Sequence, residues 1–157
     1  MQFKKVRAEV KNVNSSPESH GDEQQYRSDI KLALAVPVDV VNRMLPGGEF
    51  LEQFYVGDDV RLESLFPIKF GKRLKDHRAT LHFDDETMRF EPVKIKAGQL
   101  WTPLSGRAVS IEMTLQVYPD NPIESGRLDF LAQQWIDVEI EPLNKDIDDT
   151  ADDEESD

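Results

Sequence analysis

Residues 109–117 read Val-Ser-Ile-Glu-Met-Thr-Leu-Gln-Val. Val109, Ile111, Met113, Leu115 and Val117 alternate strictly with Ser110, Glu112, Thr114 and Gln116. A period of two places one set of side chains on each face of a strand. One face suits a core and the other suits water, so the segment predicts a half-buried strand. Pro119-Asp-Asn-Pro122 ends it.

The same reading extends outward. Downstream, Ser125 is the expected cap of a short helix over 125–134 that turns Leu128 and Leu131 inward. Ile136, Val138 and Ile140 then make a last strand, closed by Pro142. Upstream, residues 79–83 and 88–95 flank Asp84-Asp85-Glu86 and predict a hairpin, with Pro92 at an edge or bulge. Gly98 and Pro103 to Gly106 mark a connection. Near the start, Val6, Ala8 and Val10 alternate with polar partners. Ile30, Leu32, Leu34 and Val36 do the same, with a polar loop expected over 14–25. Asp39 is the expected N-cap of a short helix carrying Val40, Val41, Met44 and Leu45, stopped by Pro46-Gly47-Gly48. Residues 49–55 predict a second short helix, 60–66 a short strand and 67–78 mostly an exposed loop.

Strands outweigh helices, and no regular strand–helix alternation argues for a parallel sheet. The fold class is therefore mainly β (α+β with short helices). An antiparallel OB-like barrel or a small β-sandwich fits it, with a disordered acidic tail. The 157 residues divide into a β-rich domain over 1–144 and a tail over 145–157. The tail is too polar and too charged to offset the entropy of ordering.

Charge is uneven. The chain carries -12, yet residues 146–157 hold eight acids and no base, leaving -4 for residues 1–145. There is no cysteine, which removes disulfides, thiol catalysis and thiolate metal sites. No run of about 20 apolar residues crosses a membrane, and no apolar leader follows Met1. A cytoplasmic location is the expectation.

The segment most suggestive of function is Phe66-Pro-Ile-Lys-Phe-Gly-Lys-Arg-Leu-Lys-Asp-His-Arg78. Lys69, Lys72, Arg73, Lys75 and Arg78 face one acid, Asp76, and Phe66 and Phe70 lie among them. Lysine and arginine neutralise phosphates with counterion release, and exposed aromatics stack bases of single strands. Equally compatible is a solvated loop whose two Phe side chains point into the core. Lys5 and Arg7 (with Lys4 and Lys11) extend the basic set, as do Lys94, Lys96 and Arg107. Trp101 is a candidate stacking platform, or else the closing edge of a core.

Catalytic and metal readings find less. His20, His77 and His82 match no ligand spacing, and Asp84-Asp85-Glu86 reads as a hairpin turn before it reads as a cation site. There is no P-loop, dinucleotide fingerprint, GxSxG or HExxH. The expectation is a non-enzyme with no cofactor and no metal.

Two resemblances bear on function. Several single-stranded-DNA-binding proteins pair an OB-like body with an acidic C-terminal tail, and this layout is similar to theirs. Many such tails end in an aromatic residue, whereas this chain ends Glu154-Glu155-Ser156-Asp157. Val6, Asn12-Val13-Asn14, His20-Gly21-Asp22-Glu23, Asp29-Ile30-Lys31-Leu32, Pro46-Gly47 and Tyr55 resemble small phage-encoded proteins of recombination and replication gene regions. The resemblances imply a replication or recombination role. The expected partner is single-stranded nucleic acid, DNA first. The tail either covers the basic groove or recruits a protein partner, and a homo-oligomer is compatible. The competing expectations are an acidic protein-interaction module, such as a phage inhibitor or nucleic-acid mimic acting on a host enzyme, and a structural or assembly protein.

Overall fold

The alternating residues of 109–117 need neighbours on both sides, and the fold supplies them by closing the sheet on itself. The computed structural model describes residues 1–45, 47–61, 67, 69 and 71–143, with residues 20 and 97–100 described by backbone alone. Six long strands are present: β1 (Phe3–His20), β2 (Glu23–Pro37), β5 (Lys72–Phe83), β6 (Glu86–Leu104), β7 (Ala108–Val117) and β8 (Trp135–Pro142). They pair in the order β1-β2-β7-β6-β5-β8, and β8 returns to β1. Every pairing is antiparallel. A closed ring leaves no row of unpaired backbone groups along its body. The mainly β class holds. The ring has six strands, one more than an OB barrel.

The five apolar residues of β7 are all buried. They meet the inward sets of β2 (Ile30, Leu32, Leu34, Val36), β6 (Val93, Ile95, Trp101) and β8 (Ile136, Val138, Ile140). Each such side chain withdrawn from water is worth about 1.5–3 kcal/mol, which holds the ring closed.

Where the strands run longer than expected, the cause is pairing. Residues 14–20 join β1, and residues 23–27 join β2, as a ribbon beyond the reach of β8. Polar side chains suit a ribbon wet on both faces, and Pro17 lies where β1 has an open edge. Gly21, at φ +67, turns the ribbon. Residues 72–78 form β5, not a loop, because Leu74 and His77 pair with Ile95 and Val93 and are buried. β6 likewise runs through the expected connection to Leu104. Pro92, after a cis peptide bond, falls where the β5–β6 register shifts.

The helices are shorter than their sequence signals and start earlier. α1 (Val38–Asn42) begins after Pro37, which makes Asp39 a first-turn residue with no capping bond. α2 (Pro122–Asp129) is capped by Asn121, whose Oδ1 accepts from the Glu124 amide at 2.8 Å, so Ser125 lies inside it and is buried. Leu128 and Leu131 do turn inward. The second short helix is a 3₁₀ turn, Phe50–Phe54, followed by a small hairpin of β3 (Tyr55–Val56) and β4 (Asp59–Val60). The strand expected over 60–66 and the tail at 145–157 lie outside the described residues, apart from residues 60 and 61.

A polar network ties this insert to the end of the ring. Buried Asn42 accepts the Leu51 amide on Oδ1 at 2.8 Å and donates from Nδ2 to Glu52 at 3.0 Å. Asn42→Ala leaves a buried amide without its acceptor, so we expect a loss of about 1–3 kcal/mol in urea unfolding with an unchanged slope. The Tyr55 hydroxyl donates toward the carbonyls of Leu104 and Ala108, at 2.9 and 2.8 Å. Burial pushes its pKa above the ordinary phenol value. The stability it contributes is present below that ordinary value and is lost as pH rises through the raised one. Tyr55→Phe should cost about 1 kcal/mol at neutral pH and flatten the alkaline fall in melting temperature.

Candidate nucleic-acid interface

The outer face of β5 and β6 brings together cations from two separate sequence segments. Arg73 on β5 lies directly across from Lys96 on β6. Two residues back along β6, Lys94 points the same way, beside the irregularity that carries Lys75 and Asp76. Asp76 adopts φ +57 there. Arg73, Lys75 and Lys94 are exposed and Lys96 is half-buried. Among the described residues none of these four makes an ion pair.

Like charges placed directly opposite on a sheet are destabilising. A chain with 31 acids has ample means to neutralise the Arg73–Lys96 pair, yet among the described residues none forms an ion pair with them. The pairing runs on across the ring from Lys96 to Thr114 and then Lys31, and from Lys94 to Gln116 and then Asp29. Lys31 is held by Glu112 at 3.7 Å. On the other flank stands a carboxylate clamp. Arg78 donates to Glu91 and Glu141, each at 3.0 Å. The hydrogen bond to Glu91, then that to Glu141, raises its pKa above the usual guanidinium value. The result is a strip about two strands wide, roughly 5–10 Å, bordered by acids on both sides.

The residues expected to bind are therefore divided. Arg73 and Lys75 belong to the strip. Lys69 is exposed just before β5, and Lys72 is half-buried at its start. Phe70 lies outside the described residues, as does Phe66. Arg78 is spent on its two carboxylates, a correction to its expected role. Arg107 is also removed: it pairs with Glu52, whose hydrogen bond raises its pKa, and sits 5.1 Å over the Tyr55 ring. Trp101 is 1% exposed on β6, so it is core and no stacking platform. The expected connection is confined to the turn at 105–107, and the strand that fills 98–104 turns its indole inward.

Lys5 and Arg7 are not part of the strip. They line a polar cavity of about 420 Å³ with His82, Asp84, Asp85, Glu86, Trp135 and Asp137, and Arg7 lies 3.8 Å from Asp137. His82 is nine positions along β5 from Arg73, roughly 25–30 Å at strand rise. The acids there outnumber the bases, which opposes phosphate binding.

Lys94 and Lys96 are the partners that the sequence reading placed second. Their signal was real but weak, since alternation in 93–96 shows only that both point outward. That they fall against Arg73 depends on the β5–β6 register, which two irregularities disturb and then restore. Trp135, 54% exposed on β8, was missed altogether because it precedes the buried alternation of 136–140.

Among the described residues no group of three or more His, Asp and Glu side chains is placed to hold a metal ion. No helix is long and apolar enough to cross a membrane. No known protein family, no curated protein and no solved structure matches the chain.

Proposed function

We propose that the chain is a non-catalytic single-stranded nucleic-acid-binding protein whose phosphate-contacting surface is the strip Arg73, Lys75, Lys94 and Lys96. The observation that carries this reading is the unneutralised Arg73–Lys96 pair. Cross-strand repulsion retained in an acidic chain has a use when an external polyanion relieves it.

A single strand fits such a strip better than a duplex does. A duplex carries two charges for each one on a single strand and would lie over Glu91, Glu141 and Asp29 at the borders. A single strand can follow the narrow cationic line. Contacts of this kind fix position and carry no base sequence, so binding should be largely sequence-independent. A role in replication or recombination, in a phage setting, follows from the resemblances and from this chemistry alone.

Fluorescence anisotropy with labelled oligothymidylate at two salt concentrations tests it. The expected result is binding at low salt that weakens with a log–log slope near -3, about 0.7 for each of four phosphates. No binding at low salt overturns the reading.

A protein-interaction module is the second reading, and a specific feature favours it. Ile123, Phe130 and Trp135 are 77%, 79% and 54% exposed within one short stretch of α2 and β8. Large apolar side chains left in water mark contact surfaces when they are contiguous. Capture of a defined partner that is lost in Phe130→Ser would support this module.

A further inference from the structure

An apolar surface stands in water at the other end of β5 from the strip. Ile123, Arg127 and Phe130 share one face of α2 and its C-cap, four and then three residues apart. Arg127 forms an ion pair with Glu86, beside the tip of the β5–β6 hairpin, so this face is turned toward that tip. Glu86 also lines the polar cavity, as do Trp135, Asp84, Asp85 and Asp137. Two residues beyond the His82–Asp137 pair, Asp84 and Trp135 come level across β5 and β8. The apolar face of α2 and the Trp135 cavity therefore adjoin.

We infer that this surface binds a cationic peptide segment of another protein, with an arginine or lysine over the Trp135 ring beside Asp84 and Asp85 and an apolar neighbour on Phe130. It rests on the protein-interaction reading, to which it gives a partner class, and it is independent of the strip.

Area and charge select this occupant. Ile123, Phe130 and Trp135 together expose roughly 400–500 Å², the size of the largest apolar patch on a typical monomer and often a functional one. That is about half of the roughly 800 Å² per partner that a standard stable interface buries, so a short segment suits it better than a second copy. Two chains of -12 also repel each other. Four carboxylates line the cavity against Lys5 and Arg7, and Arg7 already lies 3.8 Å from Asp137. Among the described residues Asp84 and Asp85 make no ion pair. A cation over an exposed indole is attracted by the ring quadrupole, and the carboxylates add to that attraction. Arginine fits best, because its planar guanidinium both stacks on an aromatic ring and donates in pairs to carboxylates. The same carboxylates repel phosphate.

Indole N–H signals in a proton–nitrogen correlation spectrum test the inference at the site itself. The chain has two tryptophans, and the signal missing from Trp135→Phe is that of Trp135. The probes are an acetylated, amidated octapeptide of alternating Leu and Arg and its twin with citrulline, a neutral isostere, in place of Arg. The Arg peptide should shift the Trp135 signal alone, saturably, at low salt. Its citrulline twin should bind at least about tenfold more weakly. Asp84 holds φ +51, which Asn also tolerates, so Asp84→Asn with Asp85→Asn keeps the turn. That pair, and separately Phe130→Ser, should each weaken the Arg peptide at least about threefold, with the Trp101 signal in place as the sign of an intact fold. An unmoved Trp135 signal overturns the inference, even where basic peptide is held elsewhere on this acidic chain. Equal binding of the two peptides overturns it as well, yet leaves a protein-docking surface standing. A Trp135 signal that moves with protein concentration alone, at doubled mass in light scattering, assigns the surface to a second copy and overturns it too.

Discussion

Arg73→Glu combined with Lys96→Glu should lower the affinity for oligothymidylate about 100-fold at low salt. Two of four phosphate contacts are lost and two repulsions are added. With Lys75 and Lys94 remaining, the salt slope should fall from near -3 to about -1.4. The single variant Arg73→Glu separates function from architecture. It converts a like-charged cross-strand pair into an opposite-charged one with Lys96, which should stabilise the fold by about 0.2–1 kcal/mol. Affinity and melting temperature would then move in opposite directions. A residue kept for the fold would not behave this way, because its replacement would cost stability. Higher stability with unchanged affinity would remove the strip from the binding site. Arg78→Gln is the internal control: its guanidinium already serves Glu91 and Glu141. Its loss should leave the salt slope within error, although two carboxylates freed at the border should weaken binding slightly.

These variants test the register as much as the residues. Arg73 and Lys96 are 23 positions apart, and they meet because the two irregularities between Leu74 and Ala79 offset each other and restore the register set at Phe83 and Glu86. A shift of one residue would set Arg73 against Ile95 or Ala97 and turn one of the two inward. The strip thus depends on how the hairpin accommodates Asp76 and Pro92.

The sequence shows some of this directly. Strict alternation in 109–117 and in 30–36 specifies half-buried strands, because period two has one structural meaning there. It also identifies the basic cluster at 69–78 as unusual in an acidic chain. Three things are hidden, for physical reasons. The ribbon over 14–27 is wet on both faces and has no hydrophobic period, so its polar residues read as a loop. The neutralisation of Arg78 by Glu91 and Glu141 comes from three different strands, with Glu141 63 positions away. Ring closure through β1 and β8 joins residues such as Phe3 and Ile140, a pairing no local pattern encodes. The basic cluster was therefore visible as composition, while its division into free and clamped cations was not.

Trp101 gives the largest expected effect on stability. Its burial among the inward residues of β6 and β7 means that Trp101→Ala removes a large side chain and leaves a cavity that a closed ring cannot readily collapse. Such losses cost about 3–5 kcal/mol, a large share of the 5–15 kcal/mol that holds a typical domain. With urea slopes of about 1–3 kcal/mol per molar, the midpoint should fall by about 2 M. A stacking platform would behave otherwise: an exposed indole lost to Ala costs little stability and about 1–3 kcal/mol of affinity per base. Trp101→Phe, which keeps most of the packing, completes the test. It should bind oligothymidylate within twofold of the unaltered chain. The protein has only two tryptophans, and Trp135 is the exposed one, so Trp135→Phe leaves an emission spectrum that reports on Trp101 alone. That emission should be blue-shifted, as for an indole in an apolar interior, and should not change when oligonucleotide is added. A red-shifted spectrum quenched by oligonucleotide would place Trp101 at the surface and overturn its inward orientation on β6.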